Sequence, residues 1–445
     1  MTLASTKVGV APDEHSLAGP DPNVRPAPAR TDGRFWLAVT SAVVLGAAIR
    51  FVYLFHAAPA LVLGDGFAYH FEAQRIADGL GYTSPLGDVG AESAHHPPGW
   101  ATLLAGVTEL GGDSMRVHQI VGVVIGLGVI VMAGLVGRRY AGPRVGAIAA
   151  LLAALYPGFW VIEAQILAEP LAILIGGALM LVLADLWDRP SLARALVAGA
   201  VAAALALVRS EQAMLFLVAI APVVLLNRRM SRRMRLVSTA GAALVALVVI
   251  APWTLYNLGR FEEPVVLSTN AGSTLIAGNC ATTYGGDRMG FYDVDCGRRH
   301  FARLRGLDRS QVDREFRSAA LDNTRDNLDR MPATLLARYG RTLGVFRPSQ
   351  TVGLVAGWFG SATWPVWAWI TSFWLVLGLA AYGCLLMRRA RAFQWPLVAP
   401  LVITLLTVTV SYGEPRYHTA ADLGLVVLAG VALNRLVPLP GRPRR

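Results

Sequence analysis

The chain has 445 residues, of which 54% are hydrophobic and only 16% charged, with a mean hydropathy of +0.49; a soluble domain carries about 25% charged residues. The apolar residues come in long unbroken runs, which excludes a soluble enzyme, a disordered protein and a small disulfide scaffold, and leaves an all-α polytopic membrane protein. The net charge of +11 comes from 39 Arg and the single Lys7, set in short gaps between apolar runs; no soluble segment offers a basic groove with reading residues, so nucleic acid is excluded as a partner.

Residues 1–33, rich in Pro, Ala and Asp, predict a disordered cytoplasmic tail ahead of an uncleaved first helix, not a signal peptide. Windows long enough to cross a bilayer, at about 20 residues each, fall at 35–56, 117–137, 144–160, 165–187, 193–208, 212–226, 236–257, 365–387, 395–411 and 418–437. These ten predict a transmembrane module over 34–257, C-terminal transmembrane helices over 365–437 and a short cytoplasmic tail at 438–445. Gly122 and Gly126 form a small-xxx-small pattern for close helix packing.

Two connecting segments are long, 57–116 and 258–364. In the first, Tyr69–Leu80 and Pro97–Leu110 predict amphipathic helices at the membrane surface. The second opens with the turn-rich Ser268–Gly272 and continues through an Arg/Asp-rich helical stretch over 299–330, read as a solvated face. Arg338–Phe346 is expected as another surface helix, and Trp358, Trp364, Trp367 and Trp369 as an interfacial aromatic belt.

Orientation follows from the positive-inside rule. With the N-terminus inside, the inner loops hold Arg138, Arg139, Arg144, Arg189, Arg194 and the cluster Arg228–Arg235, then Arg388, Arg389 and Arg391, while the short outer turns hold only Arg209 and Arg416. Both termini are therefore expected in the cytoplasm of a cell (plasma) membrane protein, with both long segments outside. Cys280 and Cys296 share the second outer segment, where an oxidising compartment permits a disulfide, with two free thiols as the alternative. Cys384 lies inside a span, and no Cys or His spacing suggests a metal site.

Ionisable residues at membrane level are costly and point to function. Under this topology Asp65, Glu92, His95, His96, Glu163, Glu169, Arg209, Glu211, Glu414, Arg416, Tyr417 and His418 all fall on the outer side. A carboxylate at the mouth of a membrane cavity can serve as a general base on a hydroxyl. A guanidinium beside it suits phosphate, because its fork donates parallel hydrogen bonds. The combination predicts a reaction between a phosphate-bearing lipid and a nucleophile arriving from outside. A transporter or lipid flippase for a glycolipid is the alternative from another class; it would require repeated halves with charges near the midplane, which the hydropathy does not display.

In this order the motifs resemble those of the GT-C membrane glycosyltransferases, in particular the bacterial family 39-like branch related to protein O-mannosyltransferases and aminoarabinose transferases. The stretches that carry the resemblance are Gly64–Tyr69, Ala94–Trp100, Leu207–Glu211, Pro252–Asn257 followed by Leu267–Gly272 with Gly278-Asn279, and Glu414–Tyr417. The resemblance implies a GT-C helical bundle that takes sugar from a polyprenyl-phosphate lipid and gives it to an extracytoplasmic acceptor in glycan, protein or lipid. It implies Asp65 as catalytic base, with Glu169 or Glu92 supplying the second acid that relatives carry beside the first, since Gly66 follows Asp65 here. It places Tyr69, His95, His96, Arg209, Glu211, Asn279, Arg416 and Tyr417 on the substrate. It implies no certain cofactor and leaves room for a divalent metal.

Overall fold

The computed structural model describes residues 30–85, 89–300 and 304–437. The expected tail 1–33 lies outside the described residues up to 29, with 30–33 already helical; the expected tail 438–445 lies outside them altogether. Long apolar runs whose backbone groups must all be paired within the chain leave helix as the local solution. The described residues are accordingly all-α, apart from one isolated bridge between Thr83 and Glu92.

In chain order the helices are α1 (Arg30–His56), α2 (Gly64–Ala77), α3 (Pro98–Glu109), α4 (Met115–Ala141), α5 (Pro143–Leu155), α6 (Pro157–Glu163), α7 (Glu169–Asp188), α8 (Leu192–Ala206), α9 (Ala221–Leu225) and α10 (Arg232–Leu258). The long segment after α10 carries α11 (Ala271–Gly278), α12 (Asp295–Arg298), α13 (Arg309–Arg325), α14 (Met331–Thr342) and α15 (Pro348–Phe359). Three helices close the chain: α16 (Thr363–Arg389), α17 (Trp395–Val410) and α18 (Thr419–Leu436). Ser114, Ser191 and Ser231 cap α4, α8 and α10 by accepting from the backbone N–H three residues on. Arg138 with Arg139, and Arg388 with Arg389, sit in the last turns of α4 and α16, where the helix dipole favours cations.

This is a multi-pass membrane protein. Helices α1, α4, α7, α10, α16 and α18 (with the turn before it) are each long and apolar enough to cross a bilayer, and α5 and α6, apolar enough only when taken together, meet at a bend of 52°. The other three of the ten expected windows are shorter: residues 192–206, 210–225 and 395–410. At about 1.5 Å per residue even sixteen residues rise only about 24 Å, less than a hydrocarbon core of about 30 Å. The window over 212–226 is further divided into a 3-10 turn at Ser210–Met214, a π-turn at Phe216–Ile220 and α9.

Two apolar cores hold the bundle. One joins α1, α4, α5, α6, α16 and α18 around Leu54, Ile130, Phe159, Trp369 and Phe373. The other joins α2, α3, α7 and α8 around Trp100, Leu104, Leu183 and Leu205. Trp369 is thus fully buried, correcting its place in an interfacial belt, whereas Trp364 is exposed as expected. The surface helix expected at Arg338–Phe346 is also corrected, because α14 starts at Met331 and both Arg338 and Arg341 are fully buried. Their guanidinium groups clamp carbonyls at helix ends and in a loop instead of facing solvent: Arg338 donates to Thr409 and Gly278, Arg341 to Met289 and Asp287. Within the expected 299–330 stretch, α13 is the helix, burying Phe316 and Ala320, while residues 301–303 lie outside the described residues. Cys280 and Cys296 form a disulfide, with Cα atoms 6.2 Å apart, packed beside Ile276 and Phe316.

The bend between α5 and α6 is held by a buried ion pair. Arg50 of α1 meets Glu163 through Nε–Oε2 at 2.6 Å and Nη2–Oε1 at 3.0 Å, and also donates to the Ala154 carbonyl at 3.1 Å, one of those freed by the break before Pro157. Space for Glu163 comes from α4: a Cβ on Gly122 would lie 2.2 Å from the Glu163 carbonyl oxygen, and one on Gly126 would lie 2.0 Å from its carboxylate carbon. The small-xxx-small pattern therefore packs a helix against a charge. Arg50→Met, which strands Glu163 in the interior, is expected to cost about 3–5 kcal/mol of stability, and the double variant Arg50→Met/Glu163→Leu to recover most of it. Thermal unfolding of the detergent-solubilised protein checks this; equal losses in the single and double variants would refute the ion-pair account.

Candidate active site

Asp65 stands in the first turn of α2, where unpaired backbone N–H groups favour an anion. The turn that starts this helix needs Gly64, whose φ is +61° and whose missing Cβ leaves room for the Trp358 ring. Gly66 is needed for a different reason. A Cβ there would lie 2.1 Å from the Gln165 carbonyl oxygen, so no side chain, and no second acid, fits beside Asp65.

The turn against which Gly66 rests runs between α6 and α7. Ile166 adopts a φ of +55°, which a β-branched residue holds only when its surroundings impose it. Gln119 donates to Ala164 O at 2.8 Å and Trp100 Nε1 to Ile166 O at 2.9 Å, fixing the turn from α4 and α3. Its outcome is Glu169, the first residue of α7 and buried. The His95-His96-Pro97-Pro98 segment is held by Gly99 N donating to Leu207 O at 2.8 Å, which also brings up the strand of chain carrying Arg209. Arg416 comes from a 3-10 turn, Pro415–His418, secured by Thr419 Oγ1 donating to Arg416 O and Thr404 Oγ1 to Tyr417 O.

These segments meet in one alternating series of charges. Glu211 and Glu169 flank Arg209, each at 2.5 Å. Glu169 Oε1 also lies 3.1 Å from Arg416 Nε, and Arg416 Nη2 donates to Asp65 Oδ2 at 2.8 Å. His96 Nε2 follows, 4.0 Å from Asp65 Oδ1, with its ring stacked on Tyr69 at 4.3 Å. The contacts to Glu169 Oε1 are ion pairs and not aligned hydrogen bonds, so Glu169 Oε1 and Arg416 Nε remain buried without hydrogen-bond partners.

The series forms part of the lining of a cavity of about 750 Å³. Asp65, Tyr69, His95, His96, Glu169, Arg209, Glu211, Arg416 and Tyr417, all singled out in the sequence, line it. Asn279 and Glu92 do not. Asn279 is a buried structural amide that donates to the Leu275 and Val410 carbonyls and accepts from Arg338. Glu92 is half exposed and paired with Arg260. Of these two acids only Glu169 lines the cavity with Asp65, three residues past the positive-φ Ile166. The rest of the lining was not picked out as site residues: Tyr292, Trp358, Leu406, Val410 and Tyr412 on the apolar and aromatic side, and Ser210, Ser268, Asn270, Ser273 and Thr274 among the small polar groups.

Burial alone would raise the Asp65 carboxyl, but the Arg416 guanidinium hydrogen-bonded to it outweighs burial and holds the group well below the ordinary carboxylate range. Burial pushes His96 down to about 3, and His95 is lowered for the same reason, so both imidazoles stand neutral. Glu414 is driven the other way, up to about 7, chiefly by burial against a partial offset from Arg416. Among the described residues no three His, Cys, Asp or Glu side chains gather as a ligand set. The oxygens of Asp65 and Glu169 already face guanidinium groups, a poor setting for a divalent metal, which wants uncontested oxygen donors.

Residues 95–256 match the family described as dolichyl-phosphate-mannose-protein mannosyltransferase. Among solved structures, the Archaeoglobus fulgidus oligosaccharyltransferase in its apo form superimposes with a TM-score of 0.53 at 13% identity, covering 90% of this chain and 50% of that one. The archaeal oligosaccharyltransferase AglB from Archaeoglobus fulgidus, in complex with an inhibitory peptide and a dolichol-phosphate, gives 0.52 at 14% identity, over 91% and 50%. The fold is that of the GT-C membrane glycosyltransferases. The chain spans about half the length of the oligosaccharyltransferase it matches. ArnT from Cupriavidus metallidurans bound to undecaprenyl phosphate aligns at 18% identity, over 92% and 79%, with a TM-score of 0.43. A search of curated proteins gives no match.

Within this fold, the place taken by Gly66 is testable. Gly66→Ala is expected to destabilise by about 1–3 kcal/mol through overpacking against Gln165. Gly106→Ala in α3, where an added Cβ meets nothing within 4 Å, is expected to be neutral or stabilising. Paired thermal unfolding curves decide it: a Gly66→Ala protein as stable as the Gly106→Ala control would mean the turn is not tightly packed.

Proposed function

We propose that this protein is an integral membrane glycosyltransferase that moves a sugar from a polyprenyl-phosphate lipid to an acceptor hydroxyl on the extracytoplasmic side, with both termini in the cytoplasm. The single observation that carries the reading is the pairing of Asp65 with Arg416 at 2.8 Å in the wall of a large cavity. A phosphate ester is a ligand for Arg416, and a carboxylate beside it is a base for the attacking hydroxyl. The family matched over residues 95–256 is named for a dolichyl-phosphate-linked sugar, and AglB has been captured with dolichol-phosphate, which supports a lipid-phosphate donor.

In the proposed reaction Asp65 accepts the proton of the acceptor hydroxyl as its oxygen bonds to the anomeric carbon, and the bond from that carbon to the lipid phosphate oxygen breaks. Arg416, with Arg209 behind Glu169, stabilises the negative charge that grows on the departing phosphate. The apolar and aromatic lining offers the isoprenoid chain a surface, and the segment over 258–364 covers the cavity and selects the acceptor.

Asp65→Asn is expected to lower turnover by about 10²–10⁴-fold, the range lost with a general base, while leaving the bundle folded. Purified protein in lipid nanodiscs, supplied with radiolabelled polyprenyl-phosphate sugars and a set of glycan, peptide and lipid acceptors, provides the assay. Sugar release to an acceptor distinguishes the enzyme from a transporter, and near-normal turnover by the Asn variant would remove Asp65 as the base.

A further inference from the structure

Glu414 plays no part in the reaction as described, yet it lines the same cavity and is only 1% exposed. Its backbone is immobilised: Gly413 donates to Gly290 O at 2.8 Å, and a Cβ on Gly413 would lie 2.0 Å from the Arg338 carbonyl oxygen. Tyr417 N donates back to Glu414 O at 3.1 Å, closing the turn that carries Arg416. The side chain is held in place without being used, for Glu414 Oε1 is buried and has no hydrogen-bond partner. An unpartnered carboxyl oxygen in the interior costs about 1–3 kcal/mol, which the fold would shed by substitution unless a ligand completes it.

The charges around it decide which form is used. Four carboxylates line the cavity, Asp65, Glu169, Glu211 and Glu414, against the two guanidinium groups of Arg209 and Arg416. A lipid phosphodiester adds one more negative charge to a wall that already has an excess of two, counting every carboxyl as ionised. The excess falls by one if a carboxyl carries a proton. Asp65 and Glu169 each face a guanidinium within 3.1 Å, and Glu211 faces Arg209 at 2.5 Å. Glu414 alone of the four has no ion-pair contact within 4 Å among the described residues; Arg416 acts on it from a greater distance, and Tyr292 and Tyr412 lie beside it.

We propose that Glu414 binds the donor in its protonated form, donating its O–H to a lipid phosphate oxygen held by Arg416, so that donor capture takes up a proton. The carboxyl's position near neutrality, about 7, agrees with this, since a proton is available there at little cost. His95 and His96, the neighbouring imidazoles, are depressed and stay neutral over the same range, so they do not supply it. The inference rests on the reading of the cavity as a lipid-phosphate site, and its test separates the two.

The probe is methyl farnesyl phosphate, a phosphodiester whose single charge does not change between pH 6 and pH 9. Its affinity for the full chain in nanodiscs, measured by calorimetry, is expected to fall about tenfold for each pH unit above 7, as linkage requires when only the protonated carboxyl binds. Glu414→Gln, which keeps an N–H donor and cannot titrate, is expected to bind with an affinity independent of pH over that interval. Glu414→Ala is expected to bind weakly at every pH, and a monodisperse elution profile confirms that each variant is folded. If the wild type binds the phosphodiester without pH dependence, or Glu414→Gln keeps the wild-type dependence, the Glu414 assignment is wrong and the lipid-phosphate site stands. If the wild type binds no phosphodiester at any pH, both readings fall.

Discussion

The site depends on the alternation of acid and guanidinium from Glu211 through Arg209, Glu169 and Arg416 to Asp65. Removing two guanidinium groups from water is expensive, and the attraction of a counter-charge offsets that loss only where geometry is close and the remaining groups are satisfied. No single helix supplies such a set. Asp65 comes from α2, Glu169 from α7, Arg209 and Glu211 from the turn after α8, and Arg416 from the turn before α18. Each charge is tolerable only once the others have arrived, so the cavity forms with the tertiary structure or not at all.

The scaffold beneath this series positions two of its inner members, Glu169 and Arg416, with two other polar networks. Arg50 and Glu163 secure α6, the helix just before the strained turn at Ile166 that delivers Glu169. On the other side Asp422 lies 2.8 Å from His418 Nδ1 and accepts from Tyr156 OH at 2.9 Å, fastening the start of α18 to the bend between α5 and α6. That bend is therefore the point from which both Glu169 and Arg416 are placed. Breaking a span at Tyr156 exposes carbonyls that hydrocarbon cannot satisfy, and Arg50 supplies the donor that lets the break persist. Irregular backbone at membrane depth and a positioned active site here have one cause.

What was legible in the sequence follows from which physics is local. Helix existence is local in an apolar chain, and all ten windows contain helix, with Arg209 and Arg416 marked by their place in short turns between spans and Asp65 and the His95-His96 pair by the long segment after the first span. Length was harder to read, because Pro157 and the 3-10 and π turns over 210–220 divide runs that hydropathy averages together. Arg338 and Arg341 look like surface charges in any window; only carbonyls distant in the chain reveal them as clamps. The choice between Glu92 and Glu169 was likewise out of reach, since it turns on Arg260 capturing one and Gln165 O forbidding any acid at position 66. Arg50 was passed over because a lone cation in a span announces no partner 113 residues away.

The position of Arg416 between two carboxylates bears on how the proposed chemistry could be timed. While Arg416 donates to Asp65, the carboxylate is ionised but weakly basic, because its negative charge is already shared with a cation. A base of that kind gains proton affinity only when the cation turns elsewhere. An arriving phosphate offers Arg416 a second set of oxygens, which compete with Asp65 for the Nη2 donor. Glu169 meanwhile keeps the guanidinium from leaving the cavity wall. On this reading the donor itself raises the basicity of Asp65, so the general base is strongest when the electrophile is in place and weakest when water alone fills the site.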